Sequence, residues 1–382
     1  MLTFLEFFAG GGMARAGLGN KWQCALANDV DQRKGRAYAQ NWGDRDLVID
    51  DIRNISTEDI PDRTDLAWAS FPCQDLSLAG VGAGLKGHRS GTFWPFIGLI
   101  RELTQYGRGP SFIVLENVLG TLTSHGGQDF TAIIKALDGL GYQCGALVMD
   151  AALFVPQSRP RLFIIAARKD IRITKRMLND GPDPLWHTRA VRNAHDRLPP
   201  DLKAGWVWWS LKTPVKRSKD LADIIEENPG SVRWHSRQET TNLLSMMSEI
   251  NLAKVETAQM ARLPMTGTIY KRTRTEHGIK VQRAEIRFDN VAGCLRTPAG
   301  GSSRQLIMVV DGPNIRSRLI SARETARLMG LPDSYKLPAK YNEAYHLTGD
   351  GVVVPVVRHL ARHLIEPLLS DAALGPQISR SR

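Results

Sequence analysis

The chain is poor in cysteine, and the few it has are arranged neither to bind a metal nor to staple a fold. Its 382 residues hold four, at positions 24, 73, 144 and 294, with no CxxC pair and no clustered histidines. That spacing argues against a disulfide framework or a zinc site, so no metal is expected, and a reducing, cytoplasmic setting fits best. No apolar run approaches the roughly 18 residues that a membrane span requires. The opening Met1-Leu2-Thr3-Phe4-Leu5-Glu6 lacks a basic n-region, and Glu6 interrupts its apolar stretch, which argues against a signal peptide. Internal repeats and low-complexity blocks are also missing. Hydrophobic residues at 42% and charged residues at 23% are ordinary for a globular chain, and this length suffices for a full core divided over two domains.

What the chain does have is positive charge, and it lies late. Residues 1–171 are nearly balanced, 17 Lys and Arg against 18 Asp and Glu, whereas residues 172–290 hold 21 against 14 and residues 291–382 hold 12 against 7. The whole excess of +11 therefore sits in the second half, which suggests a polyanionic partner met by the later segments, most simply nucleic acid. A merely solvated basic surface gives the same counts.

Residues 1–171 alternate short apolar strands with helical patterns, the mark of an α/β domain built on a parallel sheet. Strands are expected from Thr3 to Ala9, Cys24 to Ala27, Leu47 to Ile49, Leu66 to Ser70, Phe112 to Leu115 and Arg161 to Ala167, with helices from Met13 to Leu18 and Gln32 to Asn41. Five of these strands end on an acid, amide or thiol, the pattern of a site at the carboxyl edge of a sheet. From 172 to 290 prolines break the pattern, and Trp206, Trp208 and Trp209 stand among lysines and an arginine. Aromatics beside cations suit nucleic acid, yet tryptophan is more often core, and core is the preferred reading. A helix from Ser321 to Met329 opens on a Ser-x-x-Glu capping box, and Val352 to Leu369 reads as a final helix.

Four segments carry chemistry. Phe7-Phe8-Ala9-Gly10-Gly11-Gly12-Met13 joins the first strand to a helix, where glycines permit a tight turn and let a ligand approach the backbone. Asp29, ending the next strand, is placed to accept ribose hydroxyls, and Asp51 to take an adenine amine. A glycine loop alone equally suits NAD, so an adenosine-containing cofactor is the minimum reading. Ser70-Phe71-Pro72-Cys73-Gln74 ends the fourth strand, with Pro72 fixing the direction in which Cys73 leaves it. A lone cysteine there is either a small buried hydrophobe or a nucleophile. Glu116-Asn117-Val118 puts a carboxyl at a buried strand end, where desolvation raises its pKa towards neutrality; helix capping is the bland alternative. In Gln157-Ser158-Arg159-Pro160-Arg161 the two arginines project to one side of an extended segment, fit to hold a carboxylate and a carbonyl oxygen, or simply to face water.

In that order, the glycine loop, Pro-Cys-Gln, Glu-Asn-Val and Gln-x-Arg-x-Arg resemble the C5-cytosine DNA methyltransferases. Arg318 to Asp333 looks like the ninth motif of that family and Gly349 to Val356 like its tenth, so the resemblance covers nearly everything except 172–290, where the family carries its variable target-recognition domain. It implies a Rossmann-like S-adenosylmethionine-dependent methyltransferase sheet with helices on both faces and a smaller irregular target-recognition domain. The expected division is 1–171 for catalysis and cofactor, 172–300 for target recognition, and 301–382 returning to the catalytic domain.

The resemblance also assigns residues. Cys73 would be the nucleophile, Glu116 the group at cytosine N3 and N4, Arg161 the holder of O2, and Arg159 a support for the catalytic loop. Phe8, Gly10, Gly12, Asp29, Asp51, Ile52, Pro72 and Asp350 would line the cofactor, and Gln74, Asn117 and Gln157 the substrate. Met13 and Asp350 depart from the glycine and asparagine the family often has there, both near the expected methionine end of the cofactor. Glycine-rich 75–94 is long enough to close over a flipped base. The implied partner is double-stranded DNA met by a monomer, with a cognate restriction endonuclease as functional counterpart. With no regulatory extension before residue 1, a compact bacterial or phage enzyme is expected. Three alternatives stand beside this reading. A transfer-RNA cytosine methyltransferase shares the apparatus, though the basic insert favours DNA; a dinucleotide oxidoreductase has no use for Pro-Cys-Gln; a non-catalytic relative has no use for the intact Cys73, Glu116 and Arg161.

Overall fold

The computed structural model describes residues 1–72, 85, 90–276, 278–296 and 303–373, which form two units. The first comprises Met1–Met149, Pro160–Pro214 and Val354–Arg382, the second Asp150–Arg159 and Val215–Val353.

The first unit is a seven-stranded sheet with strands β1 (Leu2–Phe7), β2 (Trp22–Asn28), β3 (Leu47–Val48), β4 (Leu66–Ala69), β5 (Phe112–Asn117), β6 (Tyr142–Asp150) and β7 (Pro160–Arg168), in the order β3-β2-β1-β4-β5-β7-β6. The first five run parallel to their neighbours, and β7 lies antiparallel to β5. The expected parallel sheet thus carries an antiparallel strand at this edge. Strands β4 and β5 are buried throughout, as expected of strands covered on both faces. On one face Leu5, Phe7, Ile113 and Leu115 pack with the apolar stripes of α3 (Phe93–Gln105) and α4 (Gln128–Gly139). By strand alternation Phe4 and Glu6 face the other way. There α1 (Met13–Leu18) and α2 (Gln32–Trp42) meet the sheet, the Tyr38 hydroxyl lying 3.5 Å from Cys24 Sγ and accepting from Arg15 at 2.9 Å.

Two parts of the first unit were not expected. Strand β6 carries a glycine in its middle, Gly145, and the segment after Gly205 runs along its edge, Val207 N–H donating to Cys144 O at 2.9 Å. Trp209 is fully buried, and Trp206 and Trp208, partly buried, pack against the core that holds α3 and α4, as the core reading had it. Residues 172–214 consequently belong to the first unit, while 301–353 belong to the second. The last helical stretch is broken into Val354–Leu360, a π-helical turn Ala361–Ile365 and Glu366–Ala373.

The second unit contains an antiparallel sheet of β8 (Met265–Glu276), β9 (Ile279–Arg287), β10 (Leu306–Asp311) and β11 (Asn314–Leu319), in the order β11-β10-β8-β9. Ile269, Ala284, Ile286, Leu306 and Met308 bury one face against helices Arg237–Ser245 and Glu249–Gln259. Helix Ala322–Leu328 starts on the expected capping box between Ser321 and Glu324. Arg318 and Glu324 form a fully buried ion pair beside it, with Trp234 stacked 4.7 Å from the guanidinium.

Candidate active site

The carboxyl edge of the parallel strands collects part of the residues singled out on the sequence: the glycine loop, Asp29, Asp51, Glu116, Asn117 and Arg161. At the end of β1 the chain turns sharply: Phe8 (φ 58°), Gly10 (φ 55°) and Gly12 (φ 74°) are all in the left-handed region. Glycine is obligatory at 12, since a Cβ there would lie 2.4 Å from Trp42 Nε1, the same indole nitrogen that donates to Gly11 O at 3.1 Å. A Cβ on Gly10 would meet nothing within 4 Å, so backbone at this point faces open space.

Asp29 ends the next strand and is nearly buried, with 8% exposure. It accepts Gly10 N–H and Asp31 N–H, each at 2.8 Å, so its carboxylate pins the glycine loop to β2. Burial pushes its pKa up, against the pull of Lys34 and the two backbone donors. A carboxylate has about four lone-pair sites, so two acceptor positions remain for ligand hydroxyls. At the end of β3, Asp51 accepts Arg53 N–H at 3.0 Å and caps the turn Ile52–Asn54, where Ile52 is buried. Asn28 fixes this corner by donating to Val48 O and Asp50 O.

The next two strands carry the remaining chemistry. Cys73 and Gln74 lie outside the described residues, as does most of 75–94, but the approach to them is defined. Ser70 N–H donates to Phe7 O, and the Asn117 amide donates to Phe71 O at 3.1 Å. Asn117 therefore tethers the segment entering Pro72 to the end of β5. Glu116, one residue earlier, is 7% exposed, and its Oε1 lies 3.3 Å from Arg161 Nε. Because β7 is antiparallel to β5, its first residues fall at the carboxyl edge of β5, Asn117 facing Leu162. That reversal brings two charged side chains 45 residues apart in sequence into one ion pair.

The other assignments fall in the second unit. Arg159 is buried and donates to Leu295 O at 3.0 Å and to Gly349 O and Gly351 O at 2.8 Å, joining two segments of that unit. Gln157 is fully buried, donates to Leu328 O at 2.8 Å and accepts Leu295 N–H at 3.2 Å, so its amide serves the interior of the unit at both ends. Asp350 closes helix Tyr341–Asp350 beside those arginine-bound carbonyls.

Two residues escaped the sequence reading. Glu6 is 2% exposed, and desolvation holds its carboxyl at about 8, above the pull of the Arg15 N–H it accepts. The signal was present: an acid inside the apolar run of a buried strand. Val30 directly follows Asp29 and is 68% exposed, an apolar side chain at the ligand edge amid Asn28, Asp29 and Asp31.

Comparisons with known proteins give the chain a family. The C-5 cytosine-specific DNA methylase family matches residues 2–366. The chain is 28% identical to the Type II methyltransferase M.BsuFI of Bacillus subtilis, over 96% of this chain and 73% of that one. It is 25% identical to the Type II methyltransferase M.HhaI of Haemophilus parahaemolyticus, over 95% and 94%. Among solved structures, the Dnmt2 methyltransferase of S. pombe shares the fold at 19% identity and a TM-score of 0.59, over 96% of this chain and 99% of that one. The Entamoeba histolytica methyltransferase EhMeth does so at 13% identity and 0.59, over 97% and 98%. The glycine loop, the strand-end acids and the paired Glu116 and Arg161 stand within a match that spans the chain nearly end to end: this protein belongs to the C-5 cytosine-specific DNA methylase family.

Proposed function

We propose that this chain methylates C5 of a cytosine flipped out of a specific duplex DNA sequence, with Cys73 forming a covalent bond to C6 and S-adenosylmethionine as methyl donor. The observation that carries the reading is the Glu116–Arg161 pair at the sheet edge, next to the Asn117 amide that anchors the segment entering Pro72.

The glycine loop fits an adenosine cofactor. Its backbone at Gly10 faces open space, Asp29 keeps two acceptor positions, and Val30 offers an apolar wall for a base. Phe8, Gly10, Gly12, Asp29, Asp51, Ile52 and Pro72 would hold the cofactor, which brings an electrophilic methyl group. Asp350 stands in the second unit and is assigned to the cofactor only by its place in the motif order.

Cytosine C5 is too weak a nucleophile unaided, so the chain's own residues must make it electron-rich. As the Cys73 thiolate adds, the S–C6 bond forms and the C5–C6 π pair is displaced towards C5. Glu116 as the carboxylic acid donates its proton to N3, neutralising the charge that develops there and ending as a carboxylate beside Arg161, whose guanidinium also reaches the O2 carbonyl. The C5 pair would then bond to the donor's methyl carbon as the methyl–sulfur bond breaks with its electrons kept by sulfur; a base removes the C5 proton, the C5–C6 double bond re-forms, the thiolate leaves and N3 returns its proton to Glu116. C6 is shielded by stacking in a duplex, so the base must leave the helix before Cys73 can reach it.

The partner in this reading is double-stranded DNA bound by a monomer, with a cognate endonuclease whose site the methyl group protects. The Type II designation of the relatives supports it. Transfer of labelled methyl groups to duplex DNA tests the reading. Parent protein should label DNA, and Cys73→Ser should lose transfer by more than a thousandfold while binding cofactor at parent affinity. Near-normal turnover by Cys73→Ser would end the covalent mechanism.

A further inference from the structure

In the second unit β10 pairs with β8 only over Met265 to Ile269, while β9 follows β8 to its end at Glu276. Beyond Ile269 the two strands continue as a ribbon for seven residues of β8, about 23 Å at roughly 3.3 Å per residue. Residues 272–275, 278–280 and 282 of this ribbon are exposed. Between 271 and 287 six lysines and arginines stand against two glutamates.

Register divides these side chains between two unlike faces. On one, Arg272 and Arg274 pair with Glu285, Arg274 Nε at 3.0 Å from it, and Arg283 Nε lies 2.8 Å from Glu276. The arginines there are held by the ribbon's own carboxylates. The other face carries Lys271, Thr273 and Thr275 opposite Ala284, Gln282 and Lys280, and no acid. Among the described residues the side chains of Thr273, Thr275, Lys280 and Gln282 have no hydrogen bond or ion pair. Their donors and acceptors are therefore available without breaking anything.

The major groove of B-DNA is about 12 Å wide and 8.5 Å deep, and it admits a two-stranded ribbon. The geometry points to the acid-free face of this ribbon as the surface that enters the major groove of the target duplex, with Gln282 and Thr273 reading base edges and Lys280 meeting phosphate. Charge decides between the faces: carboxylates within the arginine face oppose a polyanion, while the acid-free face meets it with cations and neutral hydrogen-bonding groups. Gln and Thr are groups that pair with adenine edges and thymine methyls, and Lys neutralises phosphate without regard to sequence.

This inference rests on duplex DNA being the substrate, and the test separates the two claims. The parent and the variants Thr273→Val, Gln282→Ala, Gln282→Glu, Lys280→Ala and Arg274→Ala would be incubated with plasmid DNA and S-adenosylmethionine. Bisulfite sequencing then ranks methylated sites, and fluorescence anisotropy follows duplex affinity against salt. Thr273→Val and Gln282→Ala should raise methylation at near-target sites relative to target by roughly 5- to 100-fold. Gln282→Glu should weaken binding further. Lys280→Ala should reduce the salt slope by about 1 with site ranking unchanged. Arg274→Ala, on the opposite face, should leave ranking as in the parent. All these side chains are exposed, so melting temperature and cofactor affinity should stay at parent values. Parent-like ranking in both the Thr273 and Gln282 variants, or a change confined to Arg274→Ala, would overturn the inference. A parent protein that labels transfer RNA and no duplex DNA would instead overturn the substrate reading beneath it.

Discussion

Glu116 and Arg161 come from strands of opposite direction, and each is intelligible only through the other. Their contact at 3.3 Å turns a strand-end acid and a basic segment into one site, so the two should fail together. Glu116→Gln keeps shape and removes the proton-exchanging group; general acid catalysis contributes about 10²- to 10⁴-fold, and steady-state methyl transfer should fall by that order with cofactor affinity unchanged. Glu6 makes a separate prediction. Its carboxyl titrates near 4.5 when unfolded and near 8 when buried, so the native state holds an extra proton between those values. Stability from this group is complete below about pH 4.5 and is lost as pH rises towards 8. Glu6→Gln cannot ionise, so its stability relative to parent should improve by on the order of 4 kcal/mol between pH 5 and 8.5 in thermal denaturation. A difference that does not change with pH would show that Glu6 is not held protonated.

At the scale of elements, the glycine loop and the helix after β11 are the most exposed to single changes. Gly12→Ala places a methyl 2.4 Å from the Trp42 ring at a positive φ, which costs about 1–3 kcal/mol of backbone strain and displaces the loop. Calorimetric titration should show S-adenosylmethionine affinity reduced at least about tenfold. In the second unit Arg318→Ala strands Glu324 without its cation where neither side chain touches water. Breaking a buried pair from one side costs about 3–5 kcal/mol, so the variant should unfold at clearly lower denaturant concentration. The same scale shows what was legible. Strands β1, β2, β4 and β5 announce themselves because their apolar runs end on glycine, acid or proline at the site edge. Strand β6 does not, since Gly145 reads as a breaker; in the fold it is a close approach, where a Cβ would sit 1.8 Å from Val207 O. The ribbon of β8 and β9 was invisible for the opposite reason. Both its faces are exposed, so Tyr270 to Glu276 lacks the apolar alternation by which strands are read. The antiparallel course of β7 depends on a long-range pairing that no local pattern encodes.

For the molecule as a whole, charge and chemistry are separated along the chain. The nearly neutral first 171 residues carry the glycine loop, Cys73 and the Glu116–Arg161 pair, and the excess of +11 follows them. DNA affinity should accordingly fall linearly in log K against log salt, with a slope of about −0.9 per phosphate contacted, while cofactor affinity stays flat. No helix among the described residues is long and apolar enough to cross a membrane. The central claim is covalent attack by Cys73 on a flipped cytosine, and a duplex carrying 5-fluorocytosine at the target tests it most directly. Fluorine at C5 cannot leave as the proton does, so the adduct should accumulate in the presence of S-adenosylmethionine. Intact mass spectrometry should then find protein, DNA strand and one methyl group joined, with the link mapping to Cys73 and absent in Cys73→Ser. An adduct at another residue, or methylation of ordinary duplex without any adduct on the fluorinated one, would contradict the account.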